Sequence, residues 1–371
     1  MRTASTRRLA RWLGPWARPT SAPRDVLREV LAIPAGSEGR PAIEAIVFRP
    51  ASRPITGSVL LVQGLHFLGA NDPRLDRFAR VLAHAGYLVL SPLLPTYLQL
   101  LVRPSVLDEL EAGLEALLAH PLRPRDQLPG MMSISFGSMP ALRIAARRGE
   151  SLANVLIFGG FADFRRTLRF AIGDGSSNNG RAHDPLNAPA VVTNLLPFLG
   201  AAEGLESDAD RERLRRAMLT YCTRTWGRPA MKVDRAYVPV AQAIAAELEG
   251  PMRAFFLRAC RVEPGIEPVI EAALARAGDH FDWIDPRPAF ASIHRPVTLV
   301  HGVTDDVIPF EESRALLEAL APHTEVSLLL TGLYGHTHVD GVGHGPRELA
   351  GELVAMVRIL RAMASLSDRR A

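Results

Sequence analysis

The segment from Leu128 to Leu142 constrains the fold more than any other part of the chain. It reads LPGMMSISFGSMPAL: a short apolar run, a turn of small residues around Ser135, and a helix-like stretch. A strand that passes through so sharp a turn into a helix nearly touches that helix, so only small side chains fit two residues before and after the turn. Ser133 and Gly137 stand at those two positions. The segment predicts a strand, a turn that presents the Ser135 hydroxyl, and a helix, although a plain serine–glycine turn would read the same way.

The composition predicts a globular protein. The 371 residues, 47% of them hydrophobic and 22% charged, suffice for one large α/β domain with an insertion or for two ordinary domains. The two cysteines, Cys222 and Cys260, can form no disulfide framework and make no metal-binding pair. No apolar run reaches the roughly 18–20 residues of a membrane span. We therefore expect a cytoplasmic protein, and the arginine- and alanine-rich composition favours a bacterial source.

Basic charge is concentrated at the N-terminus. Residues 1–24 hold six of the 43 basic residues and no acidic one, and the other 37 nearly balance the 39 acidic residues. The sequence therefore predicts a flexible basic tail rather than a nucleic-acid-binding face, and we expect no nucleic-acid partner. Because Leu9, Trp12 and Trp16 lie among these arginines, weak contact of the tail with an anionic membrane surface is the alternative.

Strand-like and helix-like patterns alternate on both sides of the serine turn. Two β-rich runs, at 26–33 and 42–48, predict an opening hairpin, and the run at 58–62 is apolar on both faces, as in a buried parallel strand. A helix fits 73–85, with apolar residues along one face. This alternation predicts an α/β fold with a mostly parallel sheet covered by helices on both faces.

Helical patterns alone occupy residues 161–295, and the alternation resumes after them. A helical block of about 135 residues between consecutive strands implies an inserted cap rather than a separate following domain. The predicted organisation is a tail at 1–24, an α/β core at 25–160 and 296–371, and a helical cap at 161–295.

A second motif follows the predicted cap. From Val297 to Pro309 the chain reads VTLVHGVTDDVIP, a buried strand that ends in His-Gly-x-x-Asp. Together with the serine turn, this resembles the α/β-hydrolase superfamily, most closely its serine esterase and peptidase branches, over about residues 25–160 and 296–371. The resemblance implies an α/β-hydrolase sheet with Ser135 at the nucleophile elbow, and it departs from the usual pattern at Ser133, where glycine is common. It also implies that Asp305 is the acid of a Ser-His-Asp triad, with the neighbouring Asp306 as the less favoured carboxylate.

The resemblance places the triad histidine in the loop after the last strand. The chain there reads TGLYGHTH from Thr331 to His338, so the chain order serine, aspartate, histidine is met. His336, directly after Gly335, is the preferred base. His338 and His344 are the alternatives.

An oxyanion formed at Ser135 would need two backbone N–H donors. Phe136, the residue after the nucleophile, is one expected donor. Leu65, in the loop after the strand at 58–62, is the other. This loop begins Gln63-Gly, where the family often has His-Gly, so the hydrogen bonds that support the loop are left open.

The sequence thus predicts a serine hydrolase, a carboxylesterase that works through an acyl-enzyme on a small-molecule ester without cofactor or metal. Apolar residues in the cap favour an apolar ester, and we expect no basic cluster near the site of the kind that a phosphate or carboxylate substrate would need. The alternatives are an acyltransferase that uses the same triad and a catalytically inactive fold that serves as a binding module.

Metal chemistry is a further alternative. The pattern His336-x-His338-x-Asp340 matches the start of a motif of dinuclear zinc hydrolases. Zinc needs three or four ligands, yet only His344 follows and no second ligand cluster is apparent upstream. No glycine-rich phosphate loop or dinucleotide fingerprint follows a predicted strand, which argues against nucleotide chemistry.

Overall fold

An eight-stranded sheet lies at the centre of the computed structural model, which describes residues 2–14, 16–18, 20–36, 41–173, 184–332 and 346–368. Its strands are β1 (Val26–Ile33), β2 (Ile43–Pro50), β3 (Gly57–Val62), β4 (Tyr87–Pro92), β5 (Gly130–Ile134), β6 (Val155–Phe158), β7 (Val297–Gly302) and β8 (Val326–Thr331). Their order across the sheet is β1-β2-β4-β3-β5-β6-β7-β8. The predicted hairpin of β1 and β2 is antiparallel, β2 runs antiparallel to β4, and the pairs from β4 to β8 are parallel. The prediction of a mostly parallel sheet is confirmed.

Alternate strand residues pack on opposite faces of this sheet. In β3, Leu60 and Val62 belong to one hydrophobic core, whereas Val59 and Leu61 belong to a second core on the other face. All six residues of β3 are buried, which explains why its sequence is apolar throughout instead of alternating.

Helices cover both faces, as predicted. They are α1 (Arg2–Leu13), α2 (Pro73–Ala85), α3 (Pro95–Leu98), α4 (Ser105–Ala119), α5 (Ser138–Arg148), α6 (Phe164–Ile172), α7 (Ala188–Leu195), α8 (Asp208–Thr225), α9 (Tyr237–Ala245), α10 (Gly250–Ala259), α11 (Glu267–Ala277), α12 (Glu311–Leu320) and α13 (Pro346–Ala364). Apolar residues of α4, α5 and α12 pack in the core with Leu60, and those of α2 and α13 pack in the core with Val59. Among the described residues, no helix is long and apolar enough to cross a membrane.

Local sequence explains the limits of α2, which match the predicted span. The Asp72 carboxylate caps its first turn by accepting a hydrogen bond of 2.8 Å from the Arg74 N–H, and Pro73 occupies the first helical position. Gly86 ends the helix in the left-handed conformation, at φ 117°, which glycine adopts without strain.

Between β6 and β7 the described residues form helices and turns only, from α6 to α11. We call residues 161–295 the helical insertion. Its first residues are fixed to α12 by the fully buried carboxylate of Glu312, which accepts hydrogen bonds from the N–H groups of Ala162 (3.0 Å) and Asp163 (2.8 Å) and pairs with Arg166.

Residues 2–13, which we expected to be part of a flexible tail, form helix α1. Leu9 is fully buried in the core that α2 and α13 share, and the Ser5 hydroxyl donates a hydrogen bond of 3.1 Å to the carbonyl of Ala85 at the end of α2. Burial of an apolar side chain on an existing core favours docking of this helix, whereas its charge pattern alone suggested a solvated segment. Trp16, beyond the helix, is 62% exposed.

Candidate active site

Ser135 lies at the carboxyl end of β5, a central strand of the sheet. Its φ angle is +56°, in the left-handed region that is unfavourable for a residue with a Cβ atom. The residue is buried, with 7% of its surface exposed. A single turn at residues 135–137 then leads directly into α5. The strand, the strained serine and the helix form the sharp turn that the sequence predicted.

Close packing around this turn explains its small residues. A Cβ atom on Gly137 would lie 2.4 Å from the carbonyl oxygen of Gln63, which is impossible without displacing the backbone. A Cβ atom on Gly64 would lie 3.2 Å from the Cβ of Ser135. Ser133 is fully buried, and its hydroxyl has no hydrogen-bond partner among the described residues. The serine at this position therefore satisfies the steric requirement at the cost of an unpaired hydroxyl.

The two expected oxyanion donors, Leu65 and Phe136, line the same cavity as Ser135. Neither backbone N–H donates a hydrogen bond to another described residue. The loop that carries Leu65 begins at Gln63, whose side chain is 1% exposed. Neither atom of its amide has a hydrogen-bond partner in the described part of the chain, so side-chain hydrogen bonds of Gln63 do not support the loop there.

The elbow has a support that sequence reasoning missed. Tyr97, in the short helix α3, is fully buried, and its hydroxyl donates a hydrogen bond of 2.9 Å to the carbonyl of Phe136. The preceding residue, Thr96, donates to the carboxylate of Glu109 from its N–H (3.2 Å to each oxygen) and from its hydroxyl (2.5 Å). Burial raises the pKa of Glu109 against the opposing effect of these hydrogen bonds. In the sequence, the hydroxyl groups of Thr96 and Tyr97 were the only sign of this network.

Asp305 follows β7 and is 6% exposed. Its Oδ1 accepts hydrogen bonds from the N–H groups of Val307 (2.9 Å) and Ile308 (2.8 Å), and its Oδ2 lies 3.4 Å from Nε2 of His301. These contacts fix the carboxylate in a tight loop at the carboxyl edge of the sheet, the same edge as Ser135, because β5, β6 and β7 are parallel.

His301 is a structural residue of this loop. Its Nε2 donates a hydrogen bond of 2.9 Å to the carbonyl of Ile308, and its Nδ1 is hydrogen-bonded to the Ser313 hydroxyl at 2.6 Å. Ser313, His301 and Asp305 thus resemble a triad in their contacts. Because Ser313 and His301 are both fully buried, that serine cannot meet a substrate.

The predicted base His336 and its alternatives His338 and His344 lie outside the described residues. The described residues before this segment end at Gly332, just after β8. Glu352 of α13 is hydrogen-bonded to the last two of them. Its carboxylate accepts hydrogen bonds from the Thr331 hydroxyl (2.7 Å) and from the Gly332 N–H (2.8 Å). The strand that leads to the histidine segment therefore ends at the same edge of the sheet, beside β7.

A cavity of about 180 Å³ lies over Ser135, between the sheet edge and the helical insertion. Most of its wall is apolar, and the helical insertion supplies much of this apolar surface. The apolar side chains of the wall include Phe136 and, from the insertion, Phe164, Leu168, Leu186, Val191 and Trp226. A hydrophobic cavity of similar size in another protein accommodates benzene, so the space suits a ring or a short aliphatic chain.

Charged residues also line the cavity, contrary to our expectation that no basic cluster would lie near the site. Arg74, Arg228 and Lys232 are part of the wall. The Arg74 guanidinium is paired with the Asp72 carboxylate at 2.9 Å, and Lys232 is paired with two further carboxylates. The sequence could not show this cluster because its members come from segments about 150 residues apart.

His66, next to Leu65, is a neutral member of the wall. Burial lowers its pKa to about 4, a fall that Arg74 increases and the Asp72 carboxylate opposes. Its Nδ1 accepts a hydrogen bond of 3.1 Å from the Leu68 N–H, so the proton is on Nε2, which lies 3.3 Å from the Asp72 carboxylate. The ring also lies 5.6 Å from that of Trp226, which brings the loop of Leu65 against the insertion.

The part of the chain that the structure describes contains no group of three or more histidine, cysteine, aspartate or glutamate side chains placed to hold a metal ion. The pattern His336-x-His338-x-Asp340 lies outside it. Cys222 and Cys260 are free and buried.

No protein-family model matches the sequence, and no curated protein matches it. Among solved structures, the chain is similar to an acylaminoacyl peptidase in complex with Z-Gly-Gly-Phe-chloromethyl ketone (10% identity, TM-score 0.49), with 89% of this chain and 41% of that chain covered. It is also similar to the dienelactone hydrolase of Anabaena variabilis (13% identity, TM-score 0.46), with 93% and 99% covered, and to a fungal esterase of Rhizomucor miehei (13% identity, TM-score 0.48), with 98% and 89% covered.

The chain thus spans about two fifths of the length of the peptidase, and each TM-score lies below 0.5. The fold assignment therefore rests on this chain's own strand order, its helical connections between parallel strands, and the positive-φ serine between β5 and α5. On these features the chain has an α/β-hydrolase fold.

Proposed function

We propose that this protein is a serine hydrolase that cleaves a neutral carboxylic ester, with Ser135 as nucleophile, His336 as base and Asp305 as the acid that orients the base. The observation that carries the proposal is the strained Ser135 at the base of a largely apolar cavity. Backbone strain of this kind costs on the order of 1–3 kcal/mol, and strained residues cluster at functional sites. Glycine would adopt this backbone conformation without strain, so a serine here favours a use for its hydroxyl.

In the first half of the proposed reaction, the Ser135 oxygen attacks the ester carbonyl carbon while His336 takes the hydroxyl proton. The carbonyl oxygen becomes an oxyanion, which would accept hydrogen bonds from the N–H groups of Leu65 and Phe136. As this intermediate collapses, the carbon–oxygen bond to the alcohol breaks and the alcohol leaves with the proton from His336. Ser135 then carries the acyl group.

In the second half, a water molecule attacks the acyl carbon and gives its proton to His336. The second tetrahedral intermediate collapses, the bond to the Ser135 oxygen breaks, and that oxygen regains the proton. The carboxylic acid leaves. Asp305 would hold the imidazole in the productive tautomer through both halves and stabilise the imidazolium.

The cavity chemistry supports a neutral, largely apolar substrate group. Its size suits a ring or a short chain. Two of its cations, Arg74 and Lys232, are paired with carboxylates, so they offer little net attraction to an anionic substrate. Because the helical insertion supplies much of the apolar wall, we propose that it acts as a cap and selects the ester.

The first test is labelling of the purified full-length protein with a fluorophosphonate probe, read by intact mass. We expect one adduct on the wild type and on Ser327→Ala, a control at an exposed serine of β8, and none on Ser135→Ala. Absence of an adduct from folded wild type would contradict the proposal and favour a binding module.

A second experiment separates ester from amide and water from other acceptors. We expect p-nitrophenyl esters to be hydrolysed with the highest kcat/KM at acyl chains of about four to six carbons, since longer chains exceed the cavity. Matched p-nitroanilides should react far more slowly, and equal rates would indicate a peptidase. If an added alcohol led to a new ester at the expense of the free acid, the protein would be an acyltransferase.

Single variants of the three histidines identify the base. His336→Ala should lose about 10³-fold or more in kcat, whereas His338→Ala and His344→Ala should retain most of the activity. Loss of activity in His338→Ala instead would assign the role of base to His338.

A further inference from the structure

Lys232 is the only lysine in the chain, whose other 42 basic residues are arginines. It lies in the turn between α8 and α9, within the helical insertion, and lines the Ser135 cavity. Lysine offers a compact ammonium with tetrahedral donors, whereas arginine offers a larger planar fork with five donors. The two groups therefore place their donors differently, and an arginine at this position would not reproduce the contacts of the ammonium.

The Lys232 ammonium bridges two carboxylates from different parts of the chain. Its Nζ lies 2.7 Å from Oδ2 of Asp184, in the insertion, and 2.9 Å from Oδ2 of Asp306, in the loop after β7. Burial opposes the charge on Lys232, but the two carboxylates outweigh it, and its pKa is raised above the ordinary value. Lys232 and Asp306 are 20% exposed at the side chain and Asp184 is 5% exposed, so these ion pairs are only weakly screened by solvent.

The same two aspartates are also joined through the backbone. The N–H of Asp184 donates a hydrogen bond of 2.8 Å to the carbonyl of Asp306, and Oδ1 of Asp184 accepts one of 2.9 Å from the N–H of Leu186. Lys232 therefore closes a junction of three segments. These are the entry to α7, the turn before α9, and the loop that carries Asp305.

Asp305 and Asp306 are adjacent, so the position of one constrains the other. The Asp306 carboxylate faces the insertion through Lys232, whereas Oδ1 of Asp305 accepts hydrogen bonds from the N–H groups of Val307 and Ile308. Val307 in turn lines the cavity. Lys232 thus contacts the residue next to the proposed triad acid, in the same loop.

We propose that Lys232 is a positioning residue that couples the helical insertion to the Asp305 loop, so that the wall of the substrate cavity and the triad acid are held in one geometry. This inference rests on the proposed function, since it concerns the acid of that triad. It predicts that Lys232 affects the reactivity of Ser135 itself, and not only the binding of large substrates.

The test measures the second-order rate of Ser135 labelling by a small fluorophosphonate together with kcat and KM on p-nitrophenyl butyrate. Lys232→Ala and Lys232→Arg should both label between about ten- and a hundredfold more slowly than wild type, with the loss in kcat rather than in KM. Arg216→Met, which removes an exposed positive charge from α8 of the same insertion, should label at the wild-type rate.

Chemical rescue identifies the ammonium as the cause. Ethylammonium should restore labelling of Lys232→Ala with saturation, and sodium chloride at the same ionic strength should not. If Lys232→Ala does not fold, Asp306→Asn replaces it, because it weakens one of the two bridges and leaves Lys232 with Asp184. It should give a smaller loss in the same direction.

The outcomes separate the two proposals. Labelling of wild type and of both Lys232 variants at equal rates would overturn the positioning role and leave the serine hydrolase intact. A loss confined to KM would also overturn it, since that would make Lys232 a wall residue only. Wild type that does not label would overturn the proposed function and with it this inference.

Discussion

The Tyr97 hydroxyl donates a hydrogen bond of 2.9 Å to the carbonyl oxygen of Phe136, the residue after the proposed nucleophile. Tyr97 is fully buried, so this contact fixes the turn at Ser135 independently of the strand and helix that form it. The adjacent Thr96 is hydrogen-bonded in turn to the buried Glu109 of α4. The elbow is therefore supported by a short helix that takes no part in the sheet.

Removal of this hydroxyl should reduce both stability and catalysis. Tyr97→Phe leaves the partly buried Phe136 carbonyl without this donor, and we expect a loss of about 1–2 kcal/mol in the free energy of unfolding. A fall of about tenfold in kcat should accompany it, equivalent to about 1.4 kcal/mol. Urea unfolding and ester kinetics measure the two effects. Tyr221→Phe is the matched control, because the Tyr221 hydroxyl is buried without a partner among the described residues, and its removal should cost nothing. Equal behaviour of the two variants would refute a supporting role for Tyr97.

The strain at Ser135 should be measurable as stability. Glycine adopts a φ of +56° freely, whereas alanine keeps the Cβ clash. Relief of about 1–3 kcal/mol of strain, reduced by the greater freedom of glycine in the unfolded chain, should leave Ser135→Gly about 1 kcal/mol more stable than Ser135→Ala. Both variants are expected to be inactive, so urea unfolding is the measurement. If Ser135→Gly were the less stable of the two, the turn would not be strained.

Neutral His66 should make the protein sensitive to mild acid. Its pKa is about 4 in the folded state and about 6.5 when unfolded, so between these values the unfolded state binds more protons. Stability is therefore lost as the pH falls through this window, by about 2 kcal/mol between pH 7 and pH 5. His66→Gln should not show this part of the loss, whereas His323→Gln, at an exposed histidine, should follow the wild type. Urea unfolding at the two pH values gives the difference, and parallel losses in wild type and His66→Gln would contradict the assignment.

The buried, unpaired amide of Gln63 should lower the free energy of unfolding of the protein. Because neither of its polar atoms has a partner among the described residues, Gln63→Met removes a desolvation penalty while keeping the side-chain length. We expect the free energy of unfolding to rise by about 1 kcal/mol or more. Gln242→Met, at an exposed position of α9, should change it by less than about 0.5 kcal/mol. A destabilised Gln63→Met would mean that the amide has a partner after all, such as an internal water.

Local features of the sequence determined much of the fold. The span of α2 follows from its Asp72 cap, Pro73 and Gly86, and the all-buried β3 follows from its unbroken apolar run. The serine turn was predictable because strain and close packing act within a few residues of Ser135. These interactions join near neighbours in the chain, so residue type and spacing carry the information. The predicted triad as a whole stays a prediction, since His336 lies outside the described residues.

The tertiary structure alone decided what surrounds Ser135. Tyr97 reaches Phe136 across 39 positions, and Lys232 reaches Asp306 across 74. No local pattern marks either pair, because each depends on how whole helices pack on the sheet. The docking of α1 depends in the same way on a core formed by α2 and α13, more than 60 and more than 300 residues away. The sequence by itself specified which elements form and where the strained serine turn lies. Packing decided which charges are paired, which histidine is neutral and which side chains hold the site, because burial and distance are properties of the folded chain.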